Sequence, residues 1–144
     1  MDCIFCGIIE KKSEAEILFE DEDLISILDI RPLNYGHSLV IPKAHYENFI
    51  SVPDEAHKKL ITGVKRISQA LVESLQPDGF NIIVNSGTAA GQTVFHFHYH
   101  IIPRFADDGF RPKLNLKNYR EGVMREFADK IRESVINLKG PNGK

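Results

Sequence analysis

The stretch His96-Phe97-His98-Tyr99-His100-Ile101-Ile102 alternates imidazoles with apolar side chains at a period of two. That period is the signature of a β-strand, on which successive side chains point to opposite faces. The three histidines then share one side, and Phe97, Tyr99 and Ile101 share the other, where they can join a core. Lining a strand face with three imidazoles forfeits packing, so the arrangement points to chemistry. An isolated histidine carries no such argument, and His57 reads as an exposed helix position.

Strand rise sets the outer two α-carbons about 13 Å apart, too far for all three rings to share one ion. A division of labour suits the spacing better, with the central imidazole doing chemistry. Imidazole is a good nucleophile toward phosphorus near neutral pH, where its free base is abundant. Immediately upstream, 85–94 (Asn-Ser-Gly-Thr-Ala-Ala-Gly-Gln-Thr-Val) offers small residues, hydroxyls, amides and backbone N–H groups suited to gathering phosphate oxygens. Two other readings stay open on these residues. One is a zinc-dependent hydrolase using a His-x-His pair as a catalytic metal site, although no further Asp/His ligand pattern accompanies it. The other is a non-catalytic nucleotide-binding or scaffold protein.

The remaining pattern is α+β. Short strands are expected at 16–20, 24–29, 37–41, 80–85 and 96–102, with turns at Asp21-Glu22-Asp23 and Pro32 to Gly36. A helix opens at Pro53-Asp54, carries Ala56, Leu60, Val64, Ile67, Leu71 and Leu75 on one stripe, and stops at Pro77. A second helix is expected over 116–138, with Tyr119, Val123, Phe127, Ile131 and Val135 spaced by four. The reading is one domain over 1–144, a five-stranded antiparallel meander sheet with two main helices.

Charge narrows the partners. With 18 basic and 20 acidic residues, the chain has a formal net charge of −2. It lacks the basic footprint of a nucleic-acid binder, yet local donors still suffice for a small anion. No apolar run approaches the roughly 18 residues of a membrane span. The opening Met-Asp-Cys-Ile-Phe-Cys has neither a basic region nor a long apolar one, so a cytoplasmic location is expected. Cys3 and Cys6 are the only cysteines. In a reducing compartment such a CxxC pair reads as a metal clip or redox pair.

Taken together these blocks resemble the histidine-triad family. Gly91 through Arg104 matches its His-x-His-x-His signature with the usual flanks. Asp29-Ile30-Arg31-Pro32 through Gly36-His37-Ser38-Leu39-Val40-Ile41-Pro42-Lys43-Ala44-His45 matches a second block. Cys3-Ile4-Phe5-Cys6-Gly7-Ile8-Ile9 looks like the opening of the bacterial branch. Many relatives carry an Ile-Pro pair where this chain has Ser13-Glu14.

The resemblance implies a homodimeric nucleotide hydrolase acting at the α-phosphate of a purine nucleotide conjugate, through a covalent nucleotidyl-histidine. It implies His98 as nucleophile, His100 as hydrogen-bond donor to the α-phosphate, His37 as an orienting member of the cluster, and Thr93 at the leaving group. Asn85 and Gln92 would lie on the phosphate side, Asp29 on the ribose hydroxyls, and Phe5, Ile8 and Ile30 against the base. Cys3, Cys6, His45 and His96 would hold a structural zinc, since four protein ligands leave no open position for water. The substrate is either a phosphoramidate or a dinucleoside polyphosphate.

Overall fold

The structure is a computed structural model that describes residues 2–111 and 113–138. The chain divides into two compact units, Met1–Gly109 and Phe110–Lys144. The first contains helix α1 (Ile4–Ile9), strands β1 (Ile17–Glu20), β2 (Leu24–Leu28) and β3 (Ser38–Pro42), helix α2 (Asp54–Leu75), and strands β4 (Gly79–Ile83) and β5 (Tyr99–Arg104). The five strands form one antiparallel sheet in the order β1-β2-β3-β5-β4. The chain leaves β3 through α2, takes β4 at the outer edge, and returns along β5 into the centre of the sheet. That return puts the histidine segment beside β3.

Both faces of the sheet are covered, which is why β2 and β3 are buried almost throughout. On one face α2 packs Leu60, Val64, Ile67 and Leu71 against Leu24, Val40, Tyr99 and Ile101. Gly63 permits the approach, since a Cβ there would stand 2.5 Å from Leu24 Cδ2. On the other face Phe5 and Ile8 of α1 cover Ile25, Ile27, Leu39 and Ile41. Six residues are too few for a helical period to show in sequence, and α1 holds through tertiary packing rather than propensity.

Two elements begin several residues later than the pattern suggests. Strand β5 begins at Tyr99, so His96 and His98 lie ahead of it rather than on it. The register pairs Tyr99 with Val40, and two steps further it would bring Phe97 to Pro42, which has no N–H to give. The Phe97 amide turns instead to the Tyr46 carbonyl at 2.6 Å. Facing nevertheless persists: Phe97, Tyr99 and Ile101 belong to the α2 core. In the second unit, helix α3 spans Val123–Asn137 instead of 116–138. Gly122 precedes it at φ 79°, a left-handed backbone that cannot continue a right-handed helix. Most of the four-spaced apolar stripe lies on α3; Phe127, Ile131 and Val135 are exposed. Among the described residues, no helix is long and apolar enough to cross a membrane.

Candidate active site

Each imidazole of the cluster has its proton placed by a neighbouring group. His98 Nδ1 lies 2.7 Å from the His96 carbonyl oxygen. A carbonyl only accepts, so Nδ1 carries the hydrogen and Nε2 keeps its lone pair. Burial lowers the His98 pKa from its ordinary value, against the opposing pull of that carbonyl bond, so the ring is a free base at neutral pH. The edge of Phe5 stands against it, with centroids 5.0 Å apart.

His37 and His100 form a second linked pair. The Leu33 amide donates to His37 Nδ1 at 3.2 Å, so that nitrogen is unprotonated and His37 Nε2 bears the hydrogen. His37 Nε2 lies 2.9 Å from His100 Nδ1, which must therefore accept. His100 is left with its hydrogen on Nε2, a donor. Burial lowers the pKa of both rings, and His100 falls to about 4 with His98 and His37 adding to the effect. Asp29 Oδ2 sits 3.6 Å from His37 Nε2, while Asp29 Oδ1 accepts the Arg31 amide at 2.9 Å.

Asp29, His37 and His100 converge closely enough to suggest a metal site. The Leu33 amide argues against it. A cation on His37 Nε2 would displace the only ring hydrogen and leave an imidazolate accepting from an amide.

The other convergence, Cys3, Cys6, His45 and His96, has all four ligand atoms within 4.8 Å of one another. Cys3 Sγ and Cys6 Sγ lie 3.4 and 3.6 Å from His96 Nδ1, and Cys6 Sγ is 3.4 Å from His45 Nδ1. A tetrahedral zinc with its usual bond lengths sets sulfur and nitrogen about 3.5 Å apart, so the cage matches that ion. His96 is fully buried and donates from Nε2 to the Pro42 carbonyl at 2.8 Å, which turns Nδ1 toward the thiols. Desolvation and the adjacent Cys3 sulfur push the Cys6 thiol above its ordinary pKa; a cation in the cage would reverse that.

A family model described as the HIT domain matches residues 10–107, well over half of the chain. The chain belongs to the HIT-domain family. This HIT-domain protein is 47% identical to an adenylylsulfatase of Arabidopsis thaliana over 90% of its own length and 66% of the relative's. The crystal structure of a HIT-family member from Bacillus subtilis superposes with a TM-score of 0.86 at 37% identity, covering 92% of this chain and 96% of the other. A Zn-bound histidine triad family protein from Mycobacterium smegmatis superposes at 0.73 with 38% identity, over 94% and 98%.

The other candidate residues of the HIT-domain protein differ widely in exposure. Gln92 is only 3% exposed and its amide is engaged on both ends. Oε1 accepts the Gly87 amide at 2.8 Å, and Nε2 donates to Glu47 O at 2.6 Å and Val94 O at 3.2 Å. It braces the loop from within, with both ends of its side-chain amide on main-chain groups. The amides of Ala90, Gly91 and Gln92 also close on the loop itself.

Thr93 is exposed and lines a cleft of about 520 Å³ with Cys3, Cys6 and His45. Asn85 is half-buried. Phe5 and Ile8 are buried in the second core, whereas Ile30 is 91% exposed. His57 is not an exposed helix residue: it is half-buried between Phe49 and Phe97, centroids 4.4 and 5.7 Å away, and donates from Nε2 to the Phe49 carbonyl at 2.8 Å. The 46–52 loop folds over it, which a helical period does not foretell.

Proposed function

We propose that the protein hydrolyses a purine nucleotide conjugate at its α-phosphate through a covalent intermediate on His98. The observation that carries the reading is the 2.7 Å bond from His98 Nδ1 to the His96 carbonyl, which leaves Nε2 as the free lone pair on a half-buried, neutral ring. Nε2 attacks the α-phosphorus, an N–P bond forms, and the P–N or P–O bond to the leaving group breaks. The leaving group departs with a proton passed from the Thr93 hydroxyl, which the attacking water of the second step restores when it gives up its own proton. Water then attacks the same phosphorus, the N–P bond breaks with its electron pair returning to Nε2, and the nucleoside monophosphate is released.

His100 supports this chemistry by presenting Nε2–H to a non-bridging phosphate oxygen as negative charge builds. The Thr93 hydroxyl is the proposed partner of the departing group, Asn85 a phosphate-side contact, and Asp29 the acceptor for ribose hydroxyls. Ile30 offers apolar surface to the base, with Phe5 and Ile8 supporting the wall from beneath. Zinc held by Cys3, Cys6, His45 and His96 supplies a structural tie between the N-terminal segment and the histidine segment. A homodimer in the cytoplasm completes the reading.

The deciding experiment is a short incubation with adenosine phosphoramidate, diadenosine tetraphosphate or adenylyl sulfate, an acid-free quench and intact-mass measurement. The third substrate is included because one relative is named an adenylylsulfatase. A transient mass gain of one adenylyl group supports the reading, and the fastest substrate names the bond class. Turnover without any adduct, abolished by a chelator, favours a metal-activated water instead. Nucleotide binding without turnover favours a binding protein.

A further inference from the structure

The proton arrangement of His37 and His100 depends on one backbone amide, that of Leu33, on a loop closed at its base by the Asp29 amide on the His37 carbonyl at 2.9 Å and by the Arg31 amide on Asp29 Oδ1 at 2.9 Å. Between Ile30 and Tyr35 every side chain but one is exposed; Ile30 and Tyr35 are each 91% accessible. The exception is Asn34. Its Nδ2 donates to the Pro103 carbonyl at 2.8 Å and to Asp108 Oδ2 at 3.0 Å, and its own carbonyl accepts the His37 amide at 3.0 Å.

Both anchors are fixed. Pro103 lies on β5, the strand that carries His100. The Asp108 carboxylate is nearly buried and held by Arg104 at 2.8 and 3.0 Å and by the Phe105 amide at 3.1 Å. Asn34 therefore references the His37 loop to the strand of its partner ring.

We propose that Asn34 is a positioning residue: by tethering this loop to β5 it keeps the Leu33 N–H on His37 Nδ1, and so fixes which nitrogen of His100 carries the proton. The alternative arrangement has a clear chemical consequence. With the Leu33 amide withdrawn, His37 can protonate at Nδ1 and present a lone pair at Nε2. His100 then donates from Nδ1 and turns an unprotonated Nε2 outward. A donor aimed at a phosphate oxygen becomes a lone pair that repels it.

The activity arm of the test rests on the hydrolase reading; the tautomer arm does not. Nitrogen-15 NMR of the imidazoles in the zinc-loaded protein distinguishes the two ring nitrogens directly. The wild type should show His100 protonated at Nε2. Asn34→Ala should populate the Nδ1–H form of His100 and lower kcat on adenosine phosphoramidate about tenfold or more, with KM changed far less. Wild-type tautomers in a folded Asn34→Ala protein would overturn the proposal, as would an unchanged kcat.

Should Asn34→Ala fail to fold, replacing Leu33 by its α-hydroxy acid deletes the single N–H and leaves every side chain in place. The tautomer shift is expected there too, and its absence overturns the proposal. If the protein proves not to be a hydrolase, the tautomer measurement alone decides.

Discussion

The buried ring of His96 donates to the carbonyl of Pro42, the residue that ends β3, at 2.8 Å. This bond turns Nδ1 of the same ring toward Cys3 and Cys6. One zinc per chain is the expected content of protein made without a histidine tag. Cys3→Ser should lose the ion and lower the melting temperature, because metal binding is coupled to folding. Elemental analysis that finds no zinc in the wild type would remove the structural tie from the account.

His98→Asn should preserve the shape of the site while removing the lone pair. A fall in kcat of at least ~10³-fold is expected, the scale of losing a catalytic nucleophile. The adenylylated mass should vanish with it. Retention of more than about a tenth of the turnover, with contaminating enzyme excluded, would rule out attack by this ring.

Stability should decline in acid through His100. Its pKa in the fold is about 4 against an ordinary 6.5, so the unfolded chain takes up the proton first. The stabilisation is fully present above pH 6.5 and is lost as pH falls toward 4. His37, also lowered by burial, acts in the same direction. The slope from one such group cannot exceed about 1.4 kcal/mol per pH unit. Urea unfolding of the zinc-loaded protein between pH 7 and 5 measures it, and His100→Asn should flatten the curve.

Gln92→Leu should destabilise the fold by about 1–3 kcal/mol, the cost of leaving buried polar groups unpaired. It strands the Gly87 amide and the carbonyls of Glu47 and Val94. Hydrogen exchange should show the 86–94 loop opening first. A surface-like effect below about 0.5 kcal/mol would mean that the bracing is dispensable.

Much of this was legible in the sequence because period-two and period-four patterns report burial directly. The facing of Phe97, Tyr99 and Ile101 and the stripe on α2 are of that kind. The start of β5 was not, since it depends on which residue of β3 stands opposite, and that residue is a proline. Helix α1 is too short to show a period, and the onset of α3 turns on the backbone angle of Gly122. The convergence of Cys3, Cys6, His45 and His96 was legible through family resemblance; the orientation of the His96 ring comes from a main-chain carbonyl. The role of Asn34 left no trace in composition or spacing, because it works through an amide that every residue but proline possesses.

Hydrogen bonds to the main chain assign the ring protons of His37, His96 and His98 directly, and that of His100 through His37. The proton pattern is thus written in peptide groups, which stay in place only while the side chains that anchor their backbone, Asn34 among them, are kept. On the hydrolase reading, the exposed side chain of Ile30 could be exchanged for others that admit a different base. A designer could vary that side chain while inheriting the proton pattern unchanged, provided Asn34 and the backbone of 30–37 keep their course.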